Sequence, residues 1–162
     1  MKTCGIITEY NPFHQGHIYH IKKTKELTQC DCLIAIVSNH FTQRGLFSLL
    51  TMEDKTKLAL EAGCNLVIEL PPCYAAQSAD YFAKYAVESL SQLHIDQICF
   101  GSETNNISTL KEYSKQMEST QVVPSLSMNQ NLYTKNIRPN DILGIQYIKQ
   151  CEKYGITPCT IA

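Results

Sequence analysis

Four short runs constrain this chain most: TCGIIT at 3–8, CLIAIV at 32–37, NLVIEL at 65–70 and IDQICF at 95–100 are almost continuously apolar. Runs of strand length without alternation suit parallel strands covered on both faces. Between them, 15–27, 52–62 and 78–93 carry a helical period, with Gly63 placed to stop the second helix and Ser78 to cap the third. A further helix is predicted over 107–117, opened by Asn105-Asn106. Residues 120–139 are polar, without clean periodicity, and are predicted to form a loop. Asn140 is predicted to cap a last helix, DILGIQYIKQCEKY, which Gly155 ends, and 156–161 opens another strand.

The β-α-β-α-β-α-β order predicts the α/β class, a Rossmann-like doubly wound parallel sheet with right-handed crossovers. With 162 residues, 44% of them hydrophobic, the chain is predicted to be one α/β domain over 1–162 with a real core. Its net charge of -1 gives no global basic field to advertise nucleic-acid binding. No apolar stretch approaches the roughly 20 residues of a membrane span, and the first apolar run is too short for a signal peptide. The eight cysteines include no Cys-x-x-Cys pair and lie mostly in apolar runs, as buried reduced thiols of a cytoplasmic protein would.

Ligands on such sheets bind beyond the carboxyl ends of the strands, at the switch point beside the first strand. Residues 8–17 fall there, and the loops at 38–45, 71–77 and 101–106 should face the same crevice. This junction reads EYNPFHQGHIYHI from Glu9, with Pro12 fixing the bend after Asn11. Gly16 lies in the first helical turn, where a missing side chain admits a ligand close to exposed amides and the positive helix end. His14 and His17 are three apart and share a helix face, from which imidazoles can donate to phosphoryl oxygens. In protonated form they would also offset charge on a leaving pyrophosphate. The junction therefore points to a nucleoside triphosphate. His20 shares that face and fits a rim contact or a plain helix position. A zinc site of the three histidines would lack an evident carboxylate or thiol to complete it.

The His-x-Gly-His pattern in this setting resembles the HxGH nucleotidyltransferase superfamily. EYNPFHQGHIYHI, VIELPPCYAAQSADYFA, FGSE and NDILGIQYIK, in that order, are similar to the tRNA(Met) cytidine acetate ligases. The resemblance implies that ATP and acetate form acetyl-adenylate with loss of pyrophosphate. The acetyl group then passes to N4 of the wobble cytidine of elongator tRNA(Met). It implies catalytic roles for His14 and His17. It also implies ATP contacts from Ile7, Thr8, Glu9, Tyr10, Asn11, Pro12, Phe13, His14, Gln15, Gly16, His17 and His20, and from Gly101, Ser102 and Asn140. Magnesium would accompany the triphosphate without a protein metal site of its own. No residue need be a covalent nucleophile, because acetate itself attacks the α-phosphorus.

Arg44, in Gln43-Arg44-Gly45, fits a phosphate or tRNA contact as well as a solvated arginine. Glu69 fits either a crevice role or a structural acceptor, and Glu103 either a ligand contact or a loop organiser. Lys22, Lys23 and Lys25 read as a solvated face. The sequence departs from the family at Asn39-His40, at Leu46-Phe47-Ser48 and around 51–55, which puts binding by that loop in question. It is also about half the family's length, without the later arginine-ending motif or most of the tRNA-binding region. The alternatives are a shortened adenine-nucleotide-binding paralogue and a nucleotidyltransferase acting on a small phosphorylated acceptor.

Overall fold

The computed structural model describes residues 1–118 and 137–162. The loop predicted over 120–139 lies outside the described residues as far as 136. In chain order the elements are β1 (Thr3–Thr8), α1 (Gln15–Thr28), β2 (Cys32–Ser38), α2 (Met52–Ala62), β3 (Leu66–Leu70), α3 (Pro72–Ala75), α4 (Ala79–Ser91), β4 (Gln97–Gly101), α5 (Ile107–Glu118), α6 (Pro139–Tyr154) and β5 (Thr157–Ile161). The strands form one sheet in the order β3-β2-β1-β4-β5, and every pairing is parallel. The Rossmann-like doubly wound sheet predicted from the sequence is therefore the fold.

Winding runs outward from β1 to β3 and then reverses through α4 to β4, so the switch point lies between β1 and β4. Side chains alternate across the sheet. Cys4, Ile6, Leu33, Ala35, Val37 and Cys99 face α1 and α2, where Ile21 and Ala59 meet them. Ile7, Ile34, Ile36, Ile98 and Phe100 face the other way, against Phe82, Ala86 and Leu90 of α4 and Ile145 and Ile148 of α6. The central strands are buried on both faces, as their unbroken apolar runs require. The outer strands β3 and β5 are only partly covered.

Gly63 (φ 118) and Gly155 (φ 68) end α2 and α6 in the left-handed region, as predicted. Asn106 opens α5, its Oδ1 accepting the Thr109 amide at 3.0 Å. Three predictions need correction. Residues 72–75 form the short helix α3 where a loop was predicted, started by Pro72, whose fixed φ suits a first helical position. Asn140 is not the cap of α6: Arg138 is extended at that position and Pro139 begins the helix, leaving Asn140 in the first turn. Ser78 occupies the predicted N-cap position of α4 but makes no side-chain cap bond, because its hydroxyl donates to the Asp80 carboxylate instead.

Candidate functional site

The chain leaves β1 through Tyr10, whose φ of 50° is uncommon for a side chain of that size. Burial holds it there, since its ring is 1% exposed in the core beneath α1. The reversal carries Phe13 back over Tyr10 with ring centroids 4.8 Å apart, and His17 packs edge-on to Tyr10 at 4.9 Å. His14 stacks on His17 at 3.8 Å.

The two histidines build the start of α1. His14 Nδ1 accepts the Gly16 amide at 3.1 Å, and His17 Nδ1 accepts the His14 amide at 3.1 Å. This is a capping box made of imidazoles, satisfying two amides that a helix start otherwise leaves open. A ring nitrogen that accepts from an amide carries no proton, so both imidazoles are fixed with the proton on Nε2, the nitrogen left to donate. The Gly16 and His14 amides are thereby occupied, and the anchoring donors of this corner are ring nitrogens. Gly16 has a second reason to lack a side chain: a Cβ there would lie 2.9 Å from His14 Cε1.

Burial, and then the neighbouring His14 and His20, push the His17 pKa down to about 4. The protonated role expected for this imidazole is corrected accordingly, because near neutrality His17 is an uncharged donor. His20 lies one turn further along α1, and burial also lowers its pKa. Its Nε2 is buried without a hydrogen-bond partner.

The second wall comes from β4 and α6. Gly101 ends β4 exposed, with nothing within 4 Å of where a Cβ would stand. Ser102 turns inward, 4% exposed. Its hydroxyl donates to Asp141 Oδ1 at 2.5 Å and accepts the Asn105 amide at 2.9 Å. Asp141, 2% exposed, also accepts from the Thr104 hydroxyl at 2.6 Å. Glu103 accepts the first-turn amides of α6, from Asn140 at 3.4 Å and Asp141 at 3.1 Å. Glu103 therefore organises the loop, while Asn140 stands exposed at the helix start.

The loop after β2 docks onto the same mouth. Glu9 accepts the Gln43 amide, and Asn11 Oδ1 accepts the Leu49 amide at 2.6 Å. Asn39 Nδ2 donates to Glu69 Oε1 at 2.8 Å, the structural acceptor role for Glu69. Phe41 pairs with Phe47 across a small hairpin whose tip carries exposed Arg44 and Gly45. Behind it lies Lys55, 1% exposed, its Nζ donating to the carbonyls of Ser38 at 2.7 Å and Asn39 at 3.2 Å. Burial lowers the Lys55 pKa, against the pull of the Glu9 charge.

The junction residues 8–17, Gly101, Ser102 and Asn140 thus gather around the switch point. Ile7, Thr8 and Tyr10 do so with buried side chains. Pro12, His14 and Gln15 are exposed, and Phe13 is half-buried. The basic cluster on α1 is engaged elsewhere, Lys25 on the Gly63 carbonyl at 3.0 Å and Lys23 on Glu26 at 3.0 Å. Sequence reasoning missed two residues, Lys55 and Asp141. The signal for Lys55 is its position four residues before Ala59, on the inward face of α2.

The sequence matches the family model described as HIGH Nucleotidyl Transferase over residues 1–162. It is 40% identical over 183 residues to a tRNA(Met) cytidine acetate ligase of Geobacillus sp. (strain WCH70), covering 99% of this chain and 46% of that protein. A tRNA(Met) cytidine acetate ligase of Clostridium novyi (strain NT) is 41% identical over 188 residues, with 99% and 47% covered. Among solved structures, Thermotoga maritima TmcAL bound with alpha-thio ATP superposes with a TM-score of 0.84 at 31% identity, covering 99% of this chain and 46% of that one. The chain spans about half the length of the curated relatives it matches.

Proposed function

The chain belongs to the HIGH nucleotidyl transferase family, and from that premise we propose that it carries the ATP site of a tRNA(Met) cytidine acetate ligase. One observation carries the reading: two stacked imidazoles, each tied through Nδ1 to a backbone amide, stand at the switch point of a doubly wound sheet. That geometry offers two Nε2–H donors in fixed orientation, the preorganisation that phosphoryl transfer draws on. Its support is the likeness to relatives named as such ligases and to a neighbour solved with an ATP analogue.

In this reading the triphosphate lies along residues 7–17, with His14 and His17 donating to its oxygens and His20, its Nε2 buried, one turn further along α1. Gly101, Ser102 and Asn140 bound the nucleoside end. A carboxylate oxygen of acetate attacks the α-phosphorus, the bond to the bridging oxygen breaks, and pyrophosphate leaves with the electron pair. The cytidine N4 amine then attacks the acetyl carbon and AMP departs. Uncharged His17 stabilises the developing charge by donation rather than by cationic pairing. Among the described residues no group of three or more His, Cys, Asp or Glu could hold a metal ion. These residues build no cage for the expected magnesium, and no step here passes through it. Among them, too, no helix is long and apolar enough to cross a membrane. A single domain and a cytoplasmic location, with ATP and tRNA at hand, complete the proposal.

Titration calorimetry with ATP tests the site, and incubation with ATP and labelled acetate tests the chemistry. ATP should bind, and His14→Ala and His17→Ala should each slow acetyl-adenylate formation by about 10²-fold or more. A wild-type chain that binds no ATP would overturn the reading, as would unchanged rates in both variants.

A further inference from the structure

We propose that the outer surface of α3 and α4, with the adjoining 40–48 hairpin, is a stacking platform for single-stranded RNA. The inference rests on the ligase reading and locates the nucleic-acid contact on this half of the relatives' length. Tyr74 of α3 is 39% exposed and Tyr81 of α4 is 49% exposed. Tyr85, anchored against the core, lies between them. Its centroid is 4.3 Å from Tyr74 and 6.3 Å from Tyr81, with planes inclined by only 31° and 24°. Lys84 Nζ lies 5.4 Å from the Tyr85 centroid.

This surface is continuous with the mouth of the ATP site. Gln43 Nε2 donates to the Gln77 carbonyl at 2.7 Å, tying the hairpin to the turn between α3 and α4. The hairpin adds exposed Arg44 and Phe47, the latter 78% exposed. Because α3 directly follows β3, these rings stand on the carboxyl side of the sheet, the same side as the switch point and two strands along from β1. Nearly parallel aromatic faces, with one lysine beside them and an arginine on the adjoining hairpin, are complementary to unpaired bases on an anionic backbone. A paired helix hides its base faces and gains nothing from such rings.

The test is fluorescence anisotropy on the chain with a labelled RNA stem-loop carrying an unpaired loop, against a fully paired RNA duplex of equal charge. Stacking strengths predict that Tyr74→Ala and Tyr81→Ala each weaken stem-loop binding by about 5- to 150-fold, while Tyr→Phe changes remain within about twofold because the ring is kept. Lys84→Glu should weaken binding and flatten its salt dependence. ATP titration and thermal melting on the same variants should match wild type, since these side chains lie outside the nucleotide corner. Equal affinity for stem-loop and paired duplex, no RNA binding, or alanine variants indistinguishable from wild type each overturns the platform. ATP binding that persists in those cases leaves the ligase reading standing. Loop-specific binding by a chain that fails to bind ATP removes that reading alone.

Discussion

At the scale of single residues, the site depends on where two imidazoles keep their protons. Protonating His17 would place a hydrogen on Nδ1, facing the His14 amide 3.1 Å away, and would dismantle the helix cap. Burial, then His14 and His20, already hold its pKa near 4 against the ordinary 6.5. The folded value is depressed, so the contribution of His17 to stability is intact above about 6.5. As pH falls from there toward 4, the unfolded chain takes up a proton that the folded chain refuses, and stability declines. Titration followed by NMR should show the His17 ring with a midpoint near 4, and His17→Gln should flatten the acid limb of the pH–stability curve. A midpoint near 6.5 would mean that the ring is not held as described. The pattern His-x-Gly-His is readable in sequence, but the protonation state is not, because the rings that bury His17 come from a reversal after β1 that no periodicity encodes.

At the scale of elements, alternating apolar runs and helical periods locate the five strands and the long helices of the described residues, because parallel strands and amphipathic helices obey rules of neighbouring residues. α3 escapes those rules with four residues, too few for a period. The apparent cap at Asn140 misleads because Pro139 overrides it. Lys55 is easily passed over for a different reason: its spacing to Ala59 places it on the inward face of α2, but a lysine on a helix reads as solvated until the approach of β2 makes it a buried clamp on two carbonyls. Hydrogen bonds to a charged group contribute about 1.5–3 kcal/mol, and buried carbonyls left unpaired cost in addition. Lys55→Met should therefore lower stability by about 2–3 kcal/mol in urea denaturation. It should also speed hydrogen exchange at the Thr42 and Gln43 amides, since the loop after β2 hangs from that clamp. An unchanged midpoint and unchanged exchange would show that Glu9 and Asn11 hold the loop unaided.

At the scale of the whole molecule, the site exists only because the winding reverses. Its imidazole wall follows β1 and its Gly101–Asn140 wall follows β4 and opens α6, segments more than eighty residues apart in sequence that the order β3-β2-β1-β4-β5 brings side by side. Interlocking keeps the walls in register: a Cβ on Gly144 of α6 would lie 2.6 Å from Phe100 Cε2 of β4, so helix and strand meet with no room between them. A ligand spanning both walls must therefore quiet both at once. Hydrogen exchange with and without ATP should show protection appearing together in the 8–18 segment and in the 101–104 and 139–142 segments, with equal dependence on ATP concentration. The edge strand β3, partly covered and separated from β1 by β2, should change little. Protection confined to the histidine segment would place the whole nucleotide on α1 and leave the second wall without a ligand to hold.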